Sequence, residues 1–165
     1  MKAIVSAIFT SAMLVAWVGG ASATSWIQAS STDEQLAADP KPKAVTMNST
    51  DGKKNITNTN GVVRVNENGS FFLIAAAQVG GKTKGLVRMW MRINGKDVDN
   101  SNTEQLISDP SFTSVLVSQG VAEVKRGDRI EVIFSGSEPG IGLVVKKPAG
   151  EPVVPSIIFS GWRID

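Results

Sequence analysis

Ser70-Phe-Phe-Leu-Ile-Ala-Ala-Ala-Gln-Val79 is the stretch of this 165-residue chain that decides the fold. Successive side chains of a β-strand point to opposite sides, so the stretch presents two rows of side chains. One row holds Phe71, Leu73, Ala75, Ala77 and Val79, and the other holds Phe72, Ile74 and Ala76. Since both rows are apolar, the strand must be covered on both sides. An antiparallel sandwich covers one side with its core, and we expect a neighbouring subunit to cover the other.

Short β-rich runs separated by turn residues recur on both sides of this stretch, which is the pattern of a sandwich or barrel. We predict nine strands, at residues 43–48, 61–66, 70–79, 86–94, 113–118, 121–125, 129–134, 141–146 and 156–164. Residues 26–29 are a candidate tenth strand at the N-terminal edge. Tight turns are predicted at Asp51-Gly52, Asn60-Gly61, Asn68-Gly69 and Asn94-Gly95, which accept positive φ angles. The fold class is therefore all-β and antiparallel.

One short segment favours helix instead. Residues 31–38 predict a brief helical turn, capped by Thr32 with Gln35 three residues later. Asp39-Pro-Lys-Pro42 ends this turn, because residues that precede proline are pushed toward extended geometry. We find no amphipathic helical pattern after residue 39.

The first residues predict export. Met1-Lys2, an apolar run over residues 3–18, a Gly19-Gly20 break and Ala21-Ser-Ala23 are typical of a secretory signal peptide cleaved after residue 23. The alternative is a buried or membrane-spanning helix, but the run is shorter than the roughly 20 residues needed to cross a bilayer. We therefore expect a secreted protein, or a periplasmic one if the host has an outer membrane, with no membrane attachment after cleavage. Residues 24–42 would form an N-terminal edge strand and a proline-containing linker, and residues 43–165 the β domain.

Composition excludes several classes of function. The chain contains no His, no Cys and no Tyr, which removes serine–histidine and cysteine nucleophiles, imidazole bases and Cys/His zinc sites. The formal net charge is only +2, and the basic residues are scattered among the acidic ones. Nucleic-acid binders concentrate positive charge on one face, so no nucleic-acid partner is expected. We predict no cofactor.

Four stretches carry a family resemblance through their order and spacing. They are Gly69-Ser-Phe-Phe-Leu-Ile74, Val87-Arg-Met-Trp-Met-Arg-Ile-Asn-Gly-Lys-Asp-Val98, Val124-Lys-Arg-Gly-Asp-Arg-Ile-Glu-Val-Ile133 and Pro155-Ser-Ile-Ile-Phe-Ser-Gly-Trp162. In this order they resemble the jelly roll of the complement component 1q head and tumour necrosis factor, above all its short bacterial and phage-fibre versions. The resemblance covers residues 26–164. It implies an antiparallel jelly-roll β-sandwich of about nine or ten strands and a compact, non-catalytic homotrimer.

The candidate functional residues come from the same alternation. Over residues 87–92, the side chains of Val87, Met89 and Met91 belong to the core, whereas Arg88, Trp90 and Arg92 lie on the opposite face. A tryptophan between two guanidiniums suits a planar or sugar-like group or a carboxylate. The alternative, which we favour, is a subunit interface, where Trp and Arg are enriched. Phe72 and Ile74 join this set of ligand-binding or interface candidates.

A metal site and an adhesion motif are weaker interpretations. Asp97-Val-Asp-Asn-Ser101 begins like a calcium loop, but Asn102 and Ser108 stand where such a loop needs Gly and Glu. We therefore assign no metal ligands. Arg126-Gly-Asp128 spells the integrin tripeptide, yet it is more simply a turn between two strands.

An enzyme would have to use paired carboxylates, as in glycoside cleavage. Glu123, Asp128 and Glu131 are close in sequence, but basic residues at 125, 126 and 129 flank them, which indicates solvated ion pairs. We predict no enzymatic activity, with a carboxylate-dependent polysaccharide enzyme as the least favoured alternative.

The function that these observations favour is a secreted, homotrimeric binding or adhesion domain that recognises a carbohydrate or protein ligand through its surface. The alternative is a structural subunit of an extracellular fibre or matrix. In that alternative, the segment before Ala44 would pair with the sheet edge of a neighbour.

Overall fold

The structure, a computed structural model, describes residues 25–165. The predicted signal peptide, residues 1–23, lies outside the described residues. Within residues 25–165 there is no helix, and hence none that could span a membrane. The described chain consists of strands joined by turns and loops, so the all-β prediction is confirmed.

Fourteen strands make up the described residues, and several of them are only two residues long. They are β1 (Trp26–Ser31), β2 (Gln35–Leu36), β3 (Lys43–Ala44), β4 (Ser49–Lys54), β5 (Ile56–Thr59), β6 (Val62–Val65), β7 (Gly69–Gly81), β8 (Gly85–Ile93), β9 (Lys96–Asp97), β10 (Thr103–Ile107), β11 (Ser114–Val124), β12 (Arg129–Gly136), β13 (Ile141–Leu143) and β14 (Ile157–Arg163).

The first of two antiparallel sheets, the β7 sheet, runs in the order β2-β13-β7-β14-β1-β4. β11 pairs with β7 from Ser114 opposite Val79 to Val124 opposite Gly69. β13 pairs with the last residues of β7 along the opposite edge, since Val79 has Ser114 on one side and Leu143 on the other. β14 continues along that second edge of β7 and joins it to β1. Strands from both ends of the described chain therefore meet beside its central strand.

The second sheet, the β8 sheet, runs in the order β10-β8-β12-β6-β5, with β3 on β12 and β9 on β8. The turn between β8 and β9 is the predicted two-residue hairpin, because Ile93 pairs with Lys96 across Asn94-Gly95. Asn94 and Gly95 have φ angles of 51° and 83°, the left-handed values that such a turn requires.

The core lies between the two sheets. The β7 row that starts at Phe71 is buried throughout, and it meets Val87, Met89 and Met91 of β8, all with 0% exposure. The alternation predicted for β12 is also confirmed, since Ile130, Val132 and Phe134 are buried. Strands with one apolar and one polar row thus bury the apolar row, as elementary packing requires.

Three local predictions are wrong. Residues 31–38 form no helical turn, because Leu36 pairs with Gly142 and the Ala37 amide donates to the Ile141 carbonyl. The strand expected at the N-terminal edge, β1, lies inside its sheet between β14 and β4. Asp51-Gly52 is part of β4 rather than a turn.

The number of strands also differs from the predicted nine or ten. β4, β5 and β10 were not predicted, and residues 113–118 and 121–125 belong to one continuous strand, β11. Continuous pairing with β7 carries β11 through Gly120.

Candidate interaction surfaces

The second apolar row of β7 is not covered by the described chain. Phe72, Ile74 and Ala76 are half-buried, whereas the row that faces the core is fully buried. Neighbouring strands extend this surface with outward side chains of their own. We define the outer apolar face as Phe72, Ile74, Ala76, Val115, Val117, Val121, Ile158, Trp162 and Trp26.

One row of this face is mainly aromatic. Register places Val121 opposite Phe72, Phe72 opposite Trp162, and Trp162 opposite Trp26. The rings of Phe72 and Trp162 have centroids 4.9 Å apart and are tilted by 42°, which is a favourable aromatic geometry. Trp26 and Trp162 each remain 40% exposed.

A glycine sets the position of Trp26. A Cβ atom at Gly52 of β4 would lie 2.9 Å from two ring atoms of Trp26. The indole therefore lies over the bare backbone of the neighbouring strand. This packing keeps the ring close to the sheet, so the aromatic row is broad and flat.

The outer apolar face carries large hydrophobic side chains, exposed or half-buried, on four neighbouring strands, β11, β7, β14 and β1. Val115 is 60% exposed, Val121 is 57% exposed and Ile158 is 39% exposed. Soluble monomers rarely expose contiguous apolar patches of more than a few hundred Å², and larger ones mark interaction sites. Polar side chains cross the face in one row, with Gln119, Ser160 and Gln28 flanking Ile74 on the paired strands. An interface formed here would have hydrogen-bonding groups within it.

The predicted residues Arg88, Trp90 and Arg92 lie on the other side of the molecule, on the outward surface of the β8 sheet. Their charges are paired: Arg88 Nη2 lies 2.6 Å from Glu104 Oε2, and Arg92 Nε lies 2.7 Å from Asp97 Oδ1. Cross-strand pairs of this kind stabilise a solvated sheet surface. Both arginines among the candidate residues are therefore ion-paired.

Trp90 is buried within that surface. Its side chain is 8% exposed, and its Nε1 donates a 2.8 Å hydrogen bond to Asp97 Oδ1. The hydrogen bond from Arg92, and to a smaller extent the one from Trp90, holds the pKa of Asp97 below its ordinary value. Because the ring is covered and its only polar group is bonded, a planar ligand cannot stack on Trp90 in this conformation.

The sequence-derived candidates thus fall into two groups. Phe72 and Ile74 belong to the outer apolar face, whereas Arg88, Trp90 and Arg92 lie on the outward side of the opposite sheet. The buried core separates the groups, so they cannot form a single site.

The segment that resembles a calcium loop uses its side chains for structure. Asp97 binds Arg92 and Trp90, while the Ser101 hydroxyl donates to the Val98 carbonyl and accepts from the Met91 amide. Among residues 25–165 no group of three or more acidic side chains is arranged to hold a metal ion.

The three carboxylates considered for catalysis do not meet. Glu123 lies on β11 and accepts a hydrogen bond from the Ser70 hydroxyl, whereas Glu131 lies on β12 in the opposite sheet and pairs with Arg129 at 3.1 Å. Asp128 caps the intervening turn by accepting from the Lys125 amide at 2.8 Å. Arg126-Gly127-Asp128 is accordingly a structural turn, with Gly127 at a φ angle of 91°.

Two shallow depressions lie near the end of the sandwich where β7 finishes. One, of about 120 Å³, is within the outer apolar face and is lined by Ala76, Gln78, Val115, Val154, Pro155 and Ile158 with the backbone of Ala77. The other, of about 200 Å³, lies between the end of β10 and the start of β11, beside Leu106 and Phe112.

Sequence reasoning missed most of the outer apolar face. The alternation over residues 113–118 places Val115 and Val117 on the other face of the strand from the buried Leu116. The alternation over residues 156–164 does the same for Ile158 and Trp162 relative to the buried Phe159. This alternation could have identified the side chains. The order of the strands around β7 could not be predicted from the sequence, so these side chains could not be assigned to one surface.

No family model and no curated protein sequence matches this chain. Solved structures do. Murine APRIL at pH 5.0 superposes with a TM-score of 0.61 at 12% identity, over 85% of this chain and 98% of that chain. Murine APRIL at pH 8.0 gives 0.61 at 14% identity, over 85% and 98% respectively. The globular domain of zebrafish complement 1qA gives 0.53 at 15% identity, over 86% and 98%. The predicted jelly-roll sandwich of the complement 1q and tumour necrosis factor type is thereby confirmed as the fold.

Proposed function

We propose that this chain is exported, that it assembles into a homotrimer through the outer apolar face, and that the trimer binds an extracellular carbohydrate or protein ligand without catalysis. The observation that carries the proposal is the second row of β7, which its own chain leaves half-buried. Export rests on the signal sequence predicted at residues 1–23, and the mature domain would begin at residue 24.

Burial of the outer apolar face supplies the driving force for assembly. Apolar area removed from water contributes about 25 cal/mol per Å². The side chains involved include two tryptophans at 40% exposure and Val115 at 60%, so much area remains to be buried. Aromatic side chains of this kind are the usual anchors of a subunit interface.

Three copies are favoured over two for the following reason. The sequence resembles, and the fold matches, domains of the complement 1q and tumour necrosis factor type, which form trimers. The remaining surface would then recognise the ligand. On the β8 sheet this surface is covered by ion pairs such as Arg88 with Glu104. Recognition there would depend on shape and hydrogen bonding.

A non-catalytic role is supported by the residue inventory and by the carboxylates. The chain has no His and no Cys, and Glu123, Asp128 and Glu131 are each engaged in separate hydrogen bonds or ion pairs. Catalytic carboxylates need close pairing and a raised pKa. For Asp128 the hydrogen bond from the Lys125 amide acts in the opposite direction and lowers the pKa.

A fibre subunit is less well supported. That function needs a spare segment that pairs with a neighbour, and the segment before Ala44 was the candidate. β1, within that segment, is paired on both sides by its own chain. It is therefore not free to join another sheet.

Sedimentation equilibrium on residues 24–165 tests the proposal. We expect the mass of three chains for the wild type and dissociation for Val117→Glu, which places a charge in the outer apolar face. Thr57→Glu is the matched control, since Thr57 is an exposed strand residue of the other sheet. Near-ultraviolet circular dichroism of the tryptophans verifies that both variants are folded. A monomeric wild type, or a Val117→Glu variant that stays trimeric, would overturn the assembly.

A further inference from the structure

Phe112 is a large apolar side chain that its own chain leaves in solvent. It is 71% exposed, at the tip of the loop between β10 and β11. Burial of a phenylalanine stabilises a protein by about 1.5–3 kcal/mol relative to full exposure. A ring held this far out is therefore a candidate contact residue.

The loop that presents Phe112 is ordered by its own hydrogen bonds. Oδ1 of Asp109 accepts from the amide and the hydroxyl of Ser111 at 2.9 Å and 2.8 Å, and the Phe112 amide donates to the Asp109 carbonyl at 3.2 Å. The next residue packs on a bare backbone, because a Cβ atom at Gly80 would lie 2.8 Å from Cγ2 of Thr113. A loop backbone that is preorganised in this way loses little conformational entropy when its side chain docks.

A complementary hollow lies in the outer apolar face. The depression of about 120 Å³ is walled by Val115, Val154, Pro155 and Ile158, with Ala76 at its base. An apolar cavity of roughly 150 Å³ is sufficient to hold a benzene ring. The hollow is therefore of a size to take much of one phenyl ring, and its walls offer apolar contacts to that ring.

The ring and the hollow suit neighbouring copies in a closed ring of subunits. A cyclic trimer uses heterologous contacts, in which one patch meets a different patch on the next copy. We take the three-fold axis of the proposed trimer as parallel to the strands, so that rotation keeps each residue at its own height. The Phe112 loop and the hollow both lie near the end of the β7 sheet where Ser114 pairs with Val79. The Phe112 ring of one copy can therefore reach the hollow of the next copy at about the same height.

We propose that Phe112 of each copy inserts into the hollow between Val115, Val154 and Ile158 of the next copy. This inference rests on the proposed trimer and identifies the two patches that close it. It also assigns the loop at residues 108–113 to assembly, so this loop is not available to an external ligand.

Disulfide trapping tests the contact directly, because the natural chain has no cysteine. The double variant Phe112→Cys, Ile158→Cys is oxidised as the assembled protein and run on a non-reducing gel. A disulfide within one chain is excluded by distance. Ile158 and Val117 lie on either side of Ala76, so their Cα atoms are about 9.6 Å apart, and Phe112 lies five residues before Val117, beyond the end of β11. A disulfide needs Cα atoms within about 7 Å.

We expect covalent trimers from the double variant, since each copy donates one cysteine to each neighbour. Each single-cysteine variant, and the control pair Thr57→Cys, Ile158→Cys, should stay as single chains. Covalent species that stop at dimers, or no bridge in a protein that sediments as a trimer, would overturn the Phe112 contact and leave the proposed trimer intact. A wild type that sediments as a monomer would overturn the trimer itself.

Truncation of the side chain gives an independent measure. Phe112→Ala should raise the dissociation constant of the trimer by about 10- to 100-fold, and Phe112→Leu, which keeps apolar volume, by less. Equal dissociation constants for wild type and Phe112→Ala would contradict the proposed contact.

Discussion

The indole Nε1 of Trp90 donates to Oδ1 of Asp97, and the same oxygen accepts from Arg92 Nε at 2.7 Å. One carboxylate oxygen thus satisfies a buried ring and an exposed guanidinium on β8. These two hydrogen bonds join the short β9 strand to β8, and they satisfy the indole N–H of a tryptophan that is only 8% exposed.

Asp97→Ala leaves the Trp90 N–H without its partner. We expect the free energy of unfolding to fall by about 1–2 kcal/mol, the usual cost of an unpaired buried donor. A double-mutant cycle with Trp90→Phe separates this bond from the Arg92 ion pair. Urea unfolding at one fixed protein concentration provides the measurement. Coupling below about 0.3 kcal/mol would show that the two side chains contribute independently.

Asp128 should make stability depend on pH in the acid range. Hydrogen bonds from the Lys125 amide and from the Asn94 side chain lower its pKa from the ordinary value of 3.8. Because the folded state binds this proton less tightly than the unfolded chain, the stabilisation is complete above the unfolded pKa. It is lost as pH falls through the folded pKa.

Asp128→Asn should therefore be less stable than wild type at neutral pH, and the difference should shrink as the pH falls to about 2.5. Urea midpoints measured at both pH values check this. A difference that stays constant between the two conditions would mean that the charge of Asp128 does not contribute.

Gly142 occupies a position where the side chain of any other residue would clash with neighbouring backbone. Its φ angle is 156°, and an added Cβ atom would lie 2.4 Å from the Gln35 carbonyl oxygen. Gly142→Ala should cost at least about 2 kcal/mol, because the clash is with backbone. The control is Gly120→Ala in β11, where an added Cβ atom meets nothing within 4 Å. The control should change stability by less than about 1 kcal/mol, and similar losses for both would refute the steric explanation.

Gly52→Ala tests the aromatic row of the outer apolar face. A Cβ atom at Gly52 would lie 2.9 Å from the Trp26 ring, and since that ring is 40% exposed it should swing away. The monomer fold should be little affected, whereas the dissociation constant of the proposed trimer should rise by about tenfold, or 1.4 kcal/mol. Tryptophan fluorescence reports the displacement and sedimentation the dissociation. An unchanged dissociation constant with a displaced ring would place Trp26 outside the interface.

Alternation predicted the strands of the core well, because burial of one row imposes a period of two on the sequence. The long strands β7, β8, β12 and β14 lie close to their predicted positions. β4, with the sequence Ser-Thr-Asp-Gly-Lys-Lys, is polar on both faces and pairs only with β1 in its sheet, so no hydrophobic signal marks it. The helical pattern of residues 31–38 was overridden by tertiary pairing with β13.

The candidate site was only half accessible to sequence reasoning. Phe72 and Ile74 could be identified, since an apolar strand with two apolar rows is unusual in a sandwich. Trp90 was assigned to the outward face, but its burial was not apparent, because its hydrogen bond to Asp97, seven positions away, forms only when the hairpin brings the two residues together. Sequence alternation assigns a side to each residue but does not show what covers that side.

The pairing of β1 with β14, in which Trp26 lies opposite Trp162, determines when this domain can fold. The central sheet lacks an interior strand until the last residues of β14 have been made, and contacts between such distant parts of a chain form slowly. The β7 sheet is therefore completed only after β14 has been made. If the chain is exported as proposed, a sheet completed this late is compatible with passage through a translocation channel before the native shape forms.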